Sequence, residues 1–394
     1  MDFDQAQITR IHDFRMNFDY MKSRLQNLND RYPSGVIIPV LEKDVNNPAF
    51  KKIIDGLNEC TYLKKIYIAF SGNSDDYKNA QKELYELKIP NEIIWCNNPQ
   101  VDEILKDLKV KGLDITQMRG KGKDLWIAIG IASLDLYAFA IHDSDIISYD
   151  KTLPTKLLYA VVEPRLDFFF SKGYYARISP ENKKMYGRIY RLFINPLLDA
   201  LQKKIIYPSQ FIQYLQSFRY PLSGEVAMYS DIALNLRIPG HWGLEMGMLA
   251  EIFRNISVKR VCEVDLGLFD HKHKEMNQDA LLKTAGDAFI TLLRTLTEME
   301  GINVSDSSLL SLRIIYRRYA QDKVRQYYAD AVCNNLDFDR HCEETYVETL
   351  SDVILNTGKQ YLTDPSTSQL PDWLRTLSAM PDSRERLRKA AVER

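Results

Sequence analysis

The sequence predicts an α/β protein built on a mostly parallel sheet, and two observations carry that reading. Four short apolar runs alternate with helical segments across the first part of the chain, the pattern of strand–helix–strand units with right-handed crossovers. The fourth run, Leu136-Tyr137-Ala138-Phe139-Ala140, ends in Ile141-His142-Asp143-Ser144-Asp145. Residues i and i+2 at a strand end point to the same side. Two carboxylates so placed repel unless a cation lies near or one of them is protonated. Open α/β sheets bind ligands at the carboxyl edge, so Asp-x-Asp there points to a divalent metal. The same three residues are also ordinary turn and helix-capping chemistry.

Each element follows in order. Residues 1–32 read as a charged, helical N-terminal extension. Gly35 to Val40 is a first buried strand, and a helix follows from Pro48 to Leu57. Lys65 to Phe70 is a second strand, a helix covers Tyr77 to Leu87, and Glu92 to Trp95 is a short third strand. Helices near 101–108 and 123–134 lead to the strand that ends in the two acids. Beyond residue 150 the pattern is mixed: a strand at Arg165 to Phe170, a helix at Tyr186 to Leu201, a strand at Lys259 to Val264. From about residue 275 the chain reads as helical throughout, which divides it into 1–32, 33–275 and 276–394. Leu309 to Tyr319 carries apolar residues at helical spacing beside an Arg-rich face, a pattern for packing or oligomerisation rather than chemistry. After Thr363 the tail is polar, contains Pro365, Pro371 and Pro381, and ends in a charged segment that is expected to fray.

Composition bounds the function. The 394 residues carry a net charge of −1, with 45% hydrophobic and 27% charged side chains, so any phosphate site must be local rather than a global basic surface. That argues against a nucleic-acid binder. No apolar run approaches the ~20 residues of a membrane span, and the acidic start Met1-Asp2-Phe3-Asp4 lacks the order of a signal peptide. Cys60, Cys96, Cys262, Cys333 and Cys342 are scattered and odd in number, as expected for reduced thiols of a cytoplasmic protein.

Further polar clusters sit at strand or loop ends. They are Pro39-Val40-Leu41-Glu42, Ser71-Gly72-Asn73-Ser74-Asp75, Gly120-Lys121-Gly122-Lys123, and Leu266-Gly267-Leu268-Phe269-Asp270-His271-Lys272-His273. Glycines before a helix permit close backbone approach to a phosphate, the helix start offers free N–H groups, and Lys adds charge. The spacing is not that of a Walker loop, and a solvated turn is the commoner outcome. A His beside a strand end that could meet Asp145 is a candidate metal ligand. Taken singly, Glu245 could serve only the N-terminus of its helix, and Arg188, Lys43 and Lys123 could be solvated. The joint order of the clusters favours chemistry.

Together these residues resemble the glucosyl-3-phosphoglycerate synthases, retaining glycosyltransferases of the GT-A fold. The likeness covers roughly residues 34–275. It is most specific at Pro221-Leu222-Ser223-Gly224-Glu225, Trp242-Gly243-Leu244-Glu245-Met246-Gly247 and Leu266-Gly267 through His271. Asp143-Ser144-Asp145 matches the family's Asp-x-Asp, Gly120-Lys121-Gly122 its Gly-Lys-Gly, and Met185 to Tyr190 its acceptor loop.

The resemblance implies a GT-A nucleotide-sugar domain with a helical C-terminal region. Pro39, Val40, Leu41 and Lys43 would line the uridine pocket beside Ser71, Lys121 would contact the nucleotide-sugar, and Asp143 would hold the ribose. Asp145 and His271 would bind Mg2+ or Mn2+, with His142 and His273 outside the ligand set. Gly187, Arg188 and Tyr190 would hold 3-phosphoglycerate. Glu245 would hydrogen-bond the transferred sugar, and the backbone of Leu222 would lie near the acceptor hydroxyl. Three positions depart from the family pattern. Its acidic pair reads Glu42-Lys43-Asp44, its Ser-Gly-Ser-Thr-Asp loop reads Ser71 to Asp75 as above, and Tyr190 replaces a small hydroxyl residue.

The chemistry suits these residue types. A diphosphate leaving group needs its charge neutralised, which a hard cation supplies. One imidazole in the shell makes manganese as suitable as magnesium. An Arg beside a Gly turn suits a small trianion. The expected activity is transfer of glucose from an NDP-glucose, UDP-glucose first, to D-3-phosphoglycerate by a cytoplasmic homodimer. Mannosyl transfer to the same acceptor, direct transfer to glycerate, and a noncatalytic nucleotide-sugar-binding assembly protein are the alternatives.

Overall fold

The computed structural model describes residues 3–240, 243–271, 278–365 and 369–392. Among the described residues nine strands form one sheet: β1 (Thr9–Ile11), β2 (Ser34–Leu41), β3 (Lys65–Ser71), β4 (Asn91–Trp95), β5 (Ala138–Ile141), β6 (Phe170–Ser179), β7 (Lys184–Met185), β8 (Val226–Tyr229) and β9 (Val261–Phe269). The order is β1-β9-β6-β8-β5-β2-β3-β4, with β7 paired to β6. All pairings along this path are parallel except the two made by β8.

The helices between the first strands have legible ends. Asn47 and Asn98 each cap a helix whose first residue is proline, accepting from Ala49 N and Gln100 N. Asn73 and Asp76 form a capping box that starts the helix Ser74–Glu83 immediately after β3. These caps fix where each strand stops, and so where the ligand-binding edge lies. β2 runs to one side through β3 and β4, while β5 lies on its other side. That reversal opens a crevice at the carboxyl ends of β2 and β5.

Several expectations need correction. The first 32 residues are not simply helical: β1 adds to the sheet edge beside β9, with Thr9 opposite Cys262. The helix Phe18–Leu28 then packs on the helix Thr152–Val162. The strand expected from Arg165 starts only at Phe170, because Asp167 takes φ +57° and breaks the extended run. The helix expected from Tyr186 begins at Ile189 with a π-type turn that runs into Asn195–Lys204. Gly187, at φ +79°, keeps it from starting earlier. β8 carried no recognised signal, since four residues cannot show a period.

The described residues beyond 278 are mainly helical, but they are not set apart from the sheet domain. The helices Gln278–Glu300, Asp306–Cys333 and Arg340–Thr363 share one hydrophobic core with the sheet domain. Tyr316 donates to the Leu192 carbonyl at 2.6 Å, and Phe193 packs edge-on against Phe289 and Tyr316. The tail is docked rather than frayed over its described residues. Trp373 stacks on Trp126 at 4.2 Å between ring centroids, and each indole donates to a backbone carbonyl of the other's segment. Gly130 makes room, since a Cβ there would lie 2.1 Å from the Trp373 ring. In the last helix, Ser383–Val392, Arg388 pairs with Glu92 and Asp135. No helix among the described residues is long and apolar enough to cross a membrane.

Candidate active site

The helix Lys121–Ala132 starts from Gly120, whose φ of +101° suits a residue without a side chain. Its first residue, Lys121, reaches across to the end of β5. Lys121 Nζ lies 2.6 Å from Asp143 Oδ1 and 3.6 Å from Glu245 Oε1. Glu245 stands in the first turn of the helix Leu244–Asn255, just past Gly243 at φ +91°. One ammonium therefore joins three segments far apart in sequence. It holds the Asp143 carboxyl below its usual range although burial opposes this. Gly224, in the loop holding Leu222, packs against the same pair: a Cβ there would lie 3.2 Å from Asp143 Oδ2 and 3.3 Å from Lys121 Nζ. Leu222 itself is half-buried in that loop.

Asp145 has a different environment. Burial, with Asp143 and Asp44 nearby, pushes its carboxyl up to about 6. It makes no ion pair among the described residues. An isolated antiparallel bridge pairs Ile146 with His271, and Ile147 N donates to Asp270 O at 2.8 Å. His271 is thereby tied beside the Asp-x-Asp segment from the far end of β9. Its Nδ1 lies 3.1 Å from Arg177 Nη2. Arg177 Nη2 also faces His271 Nε2, and a metal would need one ring nitrogen released from this contact, since a neutral imidazole has a single lone pair. A carboxyl without an ion pair beside an imidazole is a donor set that suits a hard or borderline divalent cation. No group of three or more His, Cys, Asp or Glu ligands gathers among the described residues.

His142 is fully buried, with Nδ1 3.0 Å from Asp143 O and Nε2 3.3 Å from Tyr149 OH. Both ring nitrogens are occupied, and burial lowers the ring to about 4. His273 lies outside the described residues, as does Trp242 of the most specific motif.

The expected acceptor loop lies beside this centre. A Cβ on Gly187 would lie 3.7 Å from both Arg177 Cδ and Tyr220 OH. Tyr220 OH in turn accepts from Arg177 Nη1 at 2.9 Å. Tyr190 turns edge-on to the Tyr220 ring, and its hydroxyl accepts from Asn195 at 3.0 Å. Arg188 meets a residue no motif had marked: Glu343, on the C-terminal helix Arg340–Thr363, accepts from Arg188 Nε at 2.7 Å. The expected acceptor loop thus meets the C-terminal helical region.

No known family profile matches the chain. The glucosyl-3-phosphoglycerate synthase of Methanococcoides burtonii is 46% identical over all of this chain and 98% of its own length. The chain belongs to the glucosyl-3-phosphoglycerate synthase family. The synthase of Persephonella marina is 34% identical over 99% of the chain and 98% of its own length. The crystal structure of the Mycobacterium tuberculosis synthase, in complex with Mg2+ and UDP, superposes with a TM-score of 0.55 at 20% identity. That match covers 76% of this chain and 89% of the solved one, and it establishes the GT-A fold.

In this synthase-family chain the residues expected on the donor side are only partly gathered. Pro39 and Leu41 share one face of β2, but Val40 alternates to the other and is 2% exposed in the core. It can offer a nucleotide only its backbone. Lys43 is exposed on the short helix Glu42–Val45, whereas its neighbour Asp44 is buried near Asp145. Ser71 donates to Asp124 at 2.6 Å, at the end of β3. Lys123 is buried, 3.9 Å from Asp102, which corrects the idea that it is solvated.

Sequence reading also missed a layer beneath the Leu222 loop. Lys172, on β6 and 1% exposed, donates to Ser223 O at 2.6 Å. Tyr175 donates to Glu225 Oε2 at 2.7 Å, and Glu225 is fully buried. The available signal was a lysine placed two residues after the apolar run Phe168-Phe169-Phe170.

Proposed function

We propose that this chain transfers glucose from UDP-glucose to D-3-phosphoglycerate with retention at the anomeric carbon, using Mg2+ or Mn2+. The observation that carries the reading is the convergence of Lys121, Asp143, Asp145, Glu245 and His271 on one sheet edge, in an enzyme whose whole length matches two glucosyl-3-phosphoglycerate synthases. The M. tuberculosis synthase has been crystallised with Mn2+, UDP-glucose and phosphoglyceric acid, and the same substrates suit this site.

Asp145 and His271 would hold the metal, which would neutralise the diphosphate as the sugar–phosphate bond breaks. Pro39, Leu41, the Val40 backbone, Lys43 and Ser71 would take the base, and Asp143 the ribose. Lys121 would exchange part of its contact with Asp143 for a diphosphate oxygen, and Glu245 would accept from hydroxyls of the sugar. Arg188 and the Gly187 turn would grip the acceptor's phosphate, with Tyr190 beside them. The acceptor hydroxyl would lie near the Leu222 backbone, held from below by Lys172 and Glu225. No protein base is required, because the departing phosphate can take the acceptor proton on the same face. The side chains then act by positioning and electrostatics.

Five free cysteines, three of them buried, support a reducing compartment. We place the enzyme in the cytoplasm, which cell fractionation checks. The exposed apolar residues Leu310, Ile314, Tyr328 and Val332 on the helix Asp306–Cys333 support a homodimer.

A donor-by-acceptor matrix with purified enzyme tests the substrate reading. UDP-glucose and GDP-mannose are each paired with 3-phosphoglycerate and glycerate, with and without Mn2+. Metal-dependent turnover of UDP-glucose with 3-phosphoglycerate alone is expected. Preference for GDP-mannose, or equal use of glycerate, would overturn it.

A further inference from the structure

We propose that Glu343 is a positioning residue of the acceptor site: it fixes the Arg188 guanidinium through Nε and leaves both Nη groups for the acceptor's phosphate. The inference rests on the acceptor-loop reading above.

Glu343 is 5% exposed at its side chain and sits between two arginines. Its Oε1 accepts from Arg188 Nε at 2.7 Å and its Oε2 from Arg191 Nη1 at 2.9 Å. Arg191 is spent on structure. It is 6% exposed at its side chain, donates from Nε to Tyr186 O at 2.9 Å, and lies over the Tyr327 ring at 5.0 Å. One carboxylate against two guanidiniums leaves one positive charge, and it resides on Arg188, whose side chain is 42% exposed.

The Arg188 plane is set twice by one helix. Glu343 takes Nε, and the guanidinium lies over the Tyr346 ring at 4.6 Å. Positions three apart on a helix share a face, so both contacts come from the same side. Among the described residues no acceptor engages Nη1 or Nη2 of Arg188. A carboxylate acting as an internal competitor for the phosphate would take two guanidinium nitrogens at once, the strongest pairing available. Glu343 takes one, and spends its other oxygen on Arg191. The arrangement prepares a guanidinium rather than blocking it. It also gives the C-terminal helices a part in acceptor choice.

Steady-state kinetics of the full chain test this. Glu343→Gln keeps the shape and loses the charge. Its KM for 3-phosphoglycerate is expected to rise about tenfold, with kcat and the KM for UDP-glucose each within about twofold of wild type. Glu343→Asp keeps the charge and should recover part of the loss. Should Glu343→Gln not fold, Tyr346→Leu removes the ring beneath Arg188 and should raise the same KM alone. An unchanged or lowered KM for 3-phosphoglycerate would overturn the proposal, as would an equal rise in both KM values. If wild type itself does not use 3-phosphoglycerate, the functional reading fails instead, which is a separate outcome.

Discussion

Lys121 and Asp143 form a 2.6 Å ion pair that ties the first turn of a helix to the end of a central strand. The pair leaves Asp143 ionised while Asp145, two residues on, is pushed toward protonation. Two acids with unlike environments in one short segment have two roles. Lys121→Met removes the cation that Asp143 and Glu245 share. Loss of a charge-assisted contact costs roughly 1.5–3 kcal/mol. The kcat/KM for UDP-glucose should therefore fall about tenfold to a hundredfold. Donor titrations at saturating 3-phosphoglycerate would measure it. An effect confined to the acceptor's KM would show that Lys121 serves the other substrate.

Asp145 and His271 are proposed to share one divalent ion. Asp145→Asn and His271→Ala should each abolish Mn2+-dependent transfer and weaken Mn2+ binding itself, followed by calorimetry on the folded protein. Full activity in both variants would remove them from the metal site.

Arg188→Ala should weaken use of 3-phosphoglycerate by about one to two powers of ten and leave donor binding close to wild type. Competition experiments with UDP would separate the two. Equal loss of donor affinity would argue against an acceptor role.

Much of the candidate site was legible because strand-end chemistry is local: Asp143, Asp145 and the glycines on either side of Lys121 announce themselves within a few residues. Glu343 was not legible. It sits 155 residues from Arg188 on a helix whose sequence reads as packing, and only the fold brings them together. Trp373 was hidden for the same reason, since a proline-rich tail reads as loose until Gly130 is seen to make space for an indole. β8 was missed because its place between β5 and β6 is set by neighbours, not by its four residues. Val40 shows the converse. Its motif membership was readable, but the strand's alternation turns its side chain into the core.

Glu163 offers a test of acid stability away from the active site. It is 1% exposed, accepts from Arg24 at 2.7 Å and Arg165 at 2.8 Å, and is held down to about 2, chiefly by the Arg165 hydrogen bond. A depressed carboxyl stabilises the fold above its unfolded value of about 4.3, and that contribution is lost as pH falls towards 2. Glu163→Gln should be less stable than wild type at pH near 7, and the gap should close between about pH 4 and 2. Denaturant titrations across that range would show it. A gap independent of pH would assign Glu163 a packing role only.

The last prediction concerns the helix Asp306–Cys333. Leu310 and Ile314 are 55% and 71% exposed, and Tyr328 and Val332 are 41% and 60% exposed. Eighteen residues complete five helical turns, so Leu310 lies above Tyr328 and Ile314 above Val332. The same helix packs on the helices Asn195–Lys204 and Arg340–Thr363. A second copy lying antiparallel would set Leu310 and Ile314 of one helix against Tyr328 and Val332 of the other, twice over, as a two-fold interface demands. Light scattering should therefore report a dimer, and Leu310→Asp with Ile314→Asp should give a monomer. A wild-type monomer at micromolar concentration would exclude this pairing. A dimer that survives both substitutions would place the interface on another face, and Glu343, which approaches Arg188 from within its own chain, would keep its proposed role in either case.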